Sequence, residues 1–183
     1  MRKLKEGMLK SNILYKGKAI SFKLDEVKLP NGKKAIREYM DHPGASAVLC
    51  VEKGKFIMVK QYRYPVGKTT YEIPAGKLHS KNDDFVLRAK EELKEETGYT
   101  AKKFKHLATF WPTPAFSNEV LKIYLAEDLS KGKSNCDDDE FLDLVKVPIK
   151  KAVDMIKKSI IKDSKTIIAI LYYLFVFKRK GYE

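Results

Sequence analysis

Cysteine is scarce in this chain: only Cys50 and Cys136 occur among 183 residues. That excludes a disulfide-framed scaffold. Cys50 lies in an apolar run and reads as a buried thiol rather than a nucleophile. Long hydrophobic runs are missing too. The longest, Ile167 to Phe177, is about half of what a bilayer span requires and reads as a buried C-terminal helix. The basic stretch from Met1 to Lys10 is followed by no apolar core of a signal peptide. The three histidines, His42, His79 and His106, show no metal-ligand spacing. Helix-turn-helix, zinc-finger and RNP-type patterns are absent, as are internal repeats and low-complexity tracts. These absences describe a cytoplasmic protein with no membrane segment and no signature for nucleic acid.

What is present is positive charge and enough apolar material for a core. Lysine and arginine number 37 against 24 acidic residues, a net charge of +13, and 44% of residues are hydrophobic. The basic residues run from Arg2 to Lys180 without clustering. Such a surface suits an anionic small substrate, an acidic membrane face or nucleic acid, or serves solubility alone.

Alternating residues from Lys18 to Pro30, then Asn31-Gly32, then Lys33 to Met40 read as a β-hairpin. Gly44 to Glu52 and Lys55 to Tyr62 read as central strands around Lys53-Gly54, and Tyr71 to Ile73 as a short strand entering a Pro-Ala-Gly turn. Phe104 to Trp111, Glu119 to Ala126 and Phe141 to Val147 are further strands. Pro112 to Asn118 is a loop and Ser130 to Asn135 a polar linker. Helices are expected over about Ile149 to Lys158 and Ser164 to Lys178. Between Gly76 and Gly98 lies another helix. Asn82, Asp83 and Asp84 are candidate N-caps, Val86, Ala89 and Leu93 form its buried stripe, and Gly98 is its C-cap. The whole predicts an α+β fold, a mixed sheet flanked by helices.

That middle helix holds the most informative feature. Glu91, Glu92, Glu95 and Glu96 fall within six consecutive positions of a basic protein. Glu91/Glu95 and Glu92/Glu96 are i,i+4 neighbours, and each like-charge pair costs an isolated helix roughly 0.2–0.5 kcal/mol. A divalent cation reverses that sign, because hard cations take carboxylate oxygens, carbonyls and water as ligands.

Gly76 followed by Glu92-Leu93-Lys94-Glu95-Glu96-Thr97-Gly98-Tyr99 closely resembles the signature box of the Nudix hydrolases, Gly-x5-Glu-x7-Arg-Glu-U-x-Glu-Glu-x-Gly-U with U bulky and aliphatic. Three positions depart from it. One extra residue separates Gly76 from the acidic position, which is Asp83 rather than glutamate. The box arginine is replaced by Glu91, with Lys77, Arg88 and Lys90 as nearby cations. Tyr99 is aromatic where an aliphatic residue is usual. Arg37-Glu38 ahead of His42-Pro43-Gly44, Val59 to Arg63, Glu72 to Lys77, Thr113 to Phe116 and Asp139-Glu140-Phe141 resemble the ADP-ribose pyrophosphatase branch. Together the likeness runs from about Tyr15 to Phe175.

The resemblance implies a Nudix fold with an N-terminal β-hairpin extension, residues 1–42, serving dimerisation and substrate binding, ahead of a hydrolase domain, residues 43–183. It implies metal-dependent cleavage of a nucleoside diphosphate, ADP-ribose to AMP and ribose 5-phosphate, by a homodimer. Mg2+ is the expected cofactor, with Mn2+ as an alternative. Glu92, Glu95, Glu96 and the carbonyl of Ala75 would hold metal. Glu95 and the acidic run near Glu140 would serve catalysis, Asp139 and Glu140 being the named candidates among Asp137 to Glu140. Arg37 and Arg63 would bind phosphate, since a guanidinium fork matches its geometry. Glu72 and Gly76 complete the substrate set, and Phe22, Trp111 and Phe116 are candidates to stack on adenine. Other nucleoside diphosphate derivatives, or a catalytically silent nucleotide- or nucleic-acid-binding Nudix fold, are the alternatives.

Overall fold

The computed structural model describes residues 4–18, 20–133 and 141–177. The chain forms two compact units, Met1–Pro43 with Trp111–Val120, and Gly44–Phe110 with Leu121–Glu183.

The first unit is a three-stranded antiparallel sheet of β1 (Gly7–Lys16), β2 (Ser21–Lys28) and β3 (Lys34–Asp41), in that order. The Asn31-Gly32 turn closes the β2–β3 hairpin. Gly32 adopts φ +85°, and the Leu29 amide donates to the Lys33 carbonyl at 2.7 Å. A left-handed residue is what such a tight turn demands. Strand β1 is an addition to the sequence reading. Its register against β2 shifts between Met8 and Lys10 and again between Ile13 and Tyr15, and these bulges break the alternation by which a strand is recognised. Residues 111–120 fold against β3: the Met40 amide donates to the Phe116 carbonyl at 2.8 Å and the His42 amide to Asn118 Oδ1 at 2.8 Å.

The second unit is built on a seven-stranded mixed sheet. Its strands are β4 (Ala45–Glu52), β5 (Lys55–Arg63), β6 (Lys68–Glu72), β7 (Ala75–Lys77), β8 (Tyr99–Phe110), β9 (Leu121–Lys131) and β10 (Leu142–Pro148). The order is β10-β5-β4-β9-β8, with β6 joined to β5 and β7 to β4. Among the described residues of this sheet, only the β4–β9 ladder is parallel. Strand β9 runs through to Lys131, paired with Tyr99, so the expected linker at Ser130 begins instead as sheet.

Helix α1 (Phe85–Thr97) covers one face of this sheet and α2 (Ile149–Lys157) with α3 (Ser164–Tyr172) the other. Strand alternation divides the core accordingly. Val48 and Cys50 join Ile57, Ala89, Leu93 and Tyr99 on the α1 side. Ala47, Leu49, Phe56 and Met58 meet Ala152, Met155 and Ile170 on the other. Cys50 is fully buried, as its apolar run implied, and burial pushes its thiol pKa up. The C-terminal helix changes to a π-helical turn over Tyr173–Phe177. Phe175 there is exposed, so the expected continuous burial of this stretch is only partial. Among the described residues, no helix is long and apolar enough to cross a membrane.

Candidate active site

The site begins with the way α1 is anchored. Asp84 is its N-cap and accepts from the Val86 amide at 2.6 Å and the Leu87 amide at 3.2 Å, filling two of the donors that a helix start leaves open. Asp83, at the acidic position of the box, does something else. Its carboxylate accepts from the amides of His79 and Ser80 at 2.7 and 2.9 Å and from the Ser80 hydroxyl at 2.6 Å. These bonds hold its pKa below the usual aspartate value and tie the loop that carries the extra residue. At the far end Gly98 takes φ +72° and donates to the Lys94 carbonyl at 2.9 Å, an αL cap.

This anchoring fixes which glutamates face inward. Glu92 and Glu96 are 3% and 4% exposed, whereas the side chains of Glu91 and Glu95 are 53% and 40% exposed. Two buried carboxylates one turn apart are costly unless compensated. Gly76 on β7 explains part of their placement. A Cβ built there would overlap the Glu92 carboxylate, so any larger residue would push Glu92 out. The box glycine is therefore a requirement of close approach, not of a left-handed backbone.

Compensation for Glu92 comes from Arg88. Its Nη2 pairs with Glu92 Oε1, and its Nη1 lies 3.1 Å from Glu91 and 3.5 Å from Glu95. Its Nε donates to the Lys77 carbonyl at 3.1 Å. Burial disfavours the guanidinium charge, but the surrounding glutamates outweigh it and raise the Arg88 pKa. With this fork spread among them, the carboxylates do not converge as a ready ligand set, and no three acidic, histidine or cysteine side chains do so among the described residues. The donor chemistry nonetheless fits a hard divalent cation: carboxylates on one helix turn, set against a glycine whose missing side chain gives Glu92 its room.

A second charged cluster lies at the end of β6. Glu72, 2% exposed, accepts from Arg63 Nε and Nη2, both at 2.8 Å, from the Thr70 hydroxyl at 2.6 Å and from Lys165 Nζ. Burial alone would raise its pKa; Arg63, Lys165 and Thr70 overcome that and lower it to about 2. Lys165 also reaches Asp163 at 3.0 Å. Asp163 in turn caps α3 through the Thr166 amide at 3.0 Å, while the Ile73 amide donates to the Thr166 hydroxyl at 2.9 Å. The Glu72 bond raises the Arg63 pKa most, and Glu96 is near enough to add to it. A cavity of about 630 Å3 opens here, lined among others by Arg63, Val66, Thr70, Glu72, Ile160 and Lys165.

The structure thus sets Gly76 of β7 against Glu92, with Ala75 on the same strand, leaves Glu95 3.5 Å from Arg88, buries Glu96, and puts Arg63 with Glu72 at the cavity. Arg37 belongs to the first unit, where Glu6 takes its Nε at 2.9 Å and its Nη2 at 2.5 Å. Trp111 and Phe116 are exposed and Phe22 half-buried. Asp139 and Glu140 lie outside the described residues. Sequence reasoning missed Lys165, Asp163 and Thr166. Asp163 just before Ser164 was a legible N-cap signal, but nothing local shows that Lys165 turns inward to a residue 93 positions away. Arg88 stood only as one of three cations near the box.

Comparison with known proteins gives one family. The NUDIX domain model matches residues 40–169. The chain is 42% identical over 175 residues to an ADP-ribose pyrophosphatase of Bacillus subtilis (strain 168), covering 94% of each. It is 41% identical over 170 residues to a methanol dehydrogenase activator of Bacillus methanolicus, covering 91% of each. Among solved structures, a crystal structure of an ADP compounds hydrolase matches with a TM-score of 0.84 over 99% of both chains at 18% identity, a likeness of fold.

Proposed function

The chain belongs to the NUDIX domain family, and from that premise we propose that it is a metal-dependent hydrolase splitting ADP-ribose into AMP and ribose 5-phosphate. The observation that carries this reading is the inward-facing pair Glu92 and Glu96 on α1, with Glu92 set against Gly76. The 42% identical pyrophosphatase supports the choice of substrate.

In this reading Glu92, Glu95 and Glu96, with the carbonyl of Ala75, hold a divalent cation, Mg2+ or Mn2+. When bound, such an ion neutralises phosphate charge and lowers the pKa of water it carries. The protein's own part is to bind and orient. Glu72 occupies the Nε and Nη2 edge of Arg63, which leaves Nη1 to meet a phosphate oxygen at the cavity wall. Because that guanidinium is already fixed, little side-chain freedom is lost on binding. Glu72 has its oxygens committed to Arg63, Thr70 and Lys165, so its contribution to substrate binding is to hold Arg63 rather than to touch adenine. The general base comes from the acidic run ending at Asp139 and Glu140, with Glu95 at the rim of the helix. The first sheet pairs two copies into a homodimer and completes the partner copy's substrate site with Arg37. Met8, Ile13, Leu14 and Tyr15 support this, since β1 leaves all four more than half exposed.

The test is product analysis by anion-exchange chromatography after incubation with ADP-ribose, with and without Mg2+, beside Glu96→Gln. AMP and ribose 5-phosphate should appear only with metal and the intact glutamate. Turnover that survives in Glu96→Gln refutes the site. The same run against nucleotide sugars and dinucleoside polyphosphates decides the substrate.

A further inference from the structure

Arg88 sits where the carboxylate helix and the strand before it are both within reach. Its fork meets Glu91, Glu92 and Glu95 on α1, while Nε holds the Lys77 carbonyl at the end of β7. Its side chain is 17% exposed. The two other cations near the box do not share this place. Lys90 Nζ lies 5.8 Å from the centre of the Phe104 ring, and Lys77 enters the contact through its carbonyl, an acceptor. A lysine could not make the same set of bonds in any case, because a single ammonium lacks the planar fork that spans a carbonyl and a carboxylate together.

The geometry also explains how Glu91 is tolerated where the box has arginine. Residues 88 and 91 are i,i+3 neighbours on one side of the helix. The Arg88 fork lies 3.1 Å from the residue-91 carboxylate while its Nε holds the Lys77 carbonyl, so a guanidinium rooted at 91 would reach for the same space. The fork rooted at 88 already fills that space. Glu91 then becomes a partner of the guanidinium, at 3.1 Å.

We propose that Arg88 is a positioning residue: it ties β7 to α1 and holds the Glu92 carboxylate in the room left by Gly76, bonds that the acidic side chain at position 91 cannot make. The inference rests on the metal-dependent reading of the site.

Its test is Mn2+ binding followed by electron paramagnetic resonance, with kcat, KM and thermal unfolding measured in parallel. The proteins are wild type, Arg88→Ala, Arg88→Lys and the double variant Arg88→Ala with Glu91→Arg. Loss of an orienting partner typically costs 10–100-fold in metal affinity or activity. Arg88→Ala should therefore weaken Mn2+ binding and lower kcat by about 10-fold or more, with KM within about 3-fold. Arg88→Lys should recover only part of this, and the double variant should return to within about 3-fold of wild type. Mn2+ binding by Arg88→Ala equal to or tighter than wild type overturns the proposal. So does a double variant that melts like wild type yet stays at the level of Arg88→Ala. Should Arg88→Ala fail to fold, Arg88→Lys with and without Glu91→Arg takes its place: recovery on adding Glu91→Arg supports the proposal, and its absence in a folded protein overturns it. Wild type that binds no Mn2+ defeats the metal reading and this inference together, whereas normal wild-type binding with an unaffected Arg88→Ala defeats this inference alone.

Discussion

Gly76 shows how one missing side chain decides the character of a site. The space of its absent Cβ is filled by the Glu92 carboxylate, so Gly76→Ala must displace Glu92 or shift β7 away from α1. Overpacking of this kind costs about 1–3 kcal/mol, and moving the carboxylate proposed to hold the metal should lower turnover about 10–100-fold. Steady-state kinetics beside a thermal melt checks both, and unchanged turnover in a destabilised variant would separate the packing of Gly76 from the chemistry. The glutamates were legible in the sequence because helical spacing alone puts Glu92 and Glu96 on one face, whereas Gly76 was singled out only by the likeness of its surroundings to the box. The roles of Asp83 and Arg88 were not legible. Asp83 matched an acidic position of the box yet serves the loop, since the backbone amides of His79 and Ser80 reach it first. Arg88 acquires its role from a carbonyl on a strand that spacing does not locate.

At the level of elements, the sequence marked β4, β5, β9, β10 and all three helices to within a few residues at most ends, since alternation, caps and turn residues agree there. It missed β1, whose two bulges erase the pattern. It also missed the joint between β5, β6 and α3, because that joint is an ion cluster assembled from distant parts of the chain. The joint has a pH signature. Glu72 has a folded-state pKa of about 2 against an ordinary 4.5, so its stabilising effect is complete above about pH 4.5 and disappears as the pH falls through 2. The full effect is roughly 3 kcal/mol at neutral pH, of which roughly 2 should be gone by pH 3. Urea unfolding at pH 5 and pH 3 measures it: wild type should lose that much more stability than Glu72→Gln over the interval. Equal losses in the two proteins would show that Glu72 titrates normally.

For the whole molecule, the proposed dimer is the point of greatest consequence, and the apolar exposure of β1 is what supports it. Deleting residues 1–40 should leave a monomer by light scattering, with ADP-ribose turnover reduced at least about 100-fold if the partner completes the site, the scale set by losing a substrate-positioning group. A fully active truncated monomer would rule the arrangement out. The net charge of +13 belongs to this scale as well. If the lysine-rich exterior steers the proposed anionic substrate rather than serving solubility alone, turnover at low substrate should fall as salt is added.

The ion cluster at Glu72 finally bears on how the chain is made. Glu72 receives one of its two cationic partners from Lys165, 93 residues later, and β4 pairs in parallel with β9, Ala45 opposite Leu121. Synthesis from the N-terminus therefore delivers the buried carboxylate long before the ammonium that helps neutralise it. A chain synthesised only to residue 160 has Arg63 and Thr70 beside Glu72 but not the helix start that brings Lys165 to it. The set of partners that lowers the Glu72 pKa is thus complete only once residue 165 has been made, and a chain released before it would keep Arg63 but lack the ammonium.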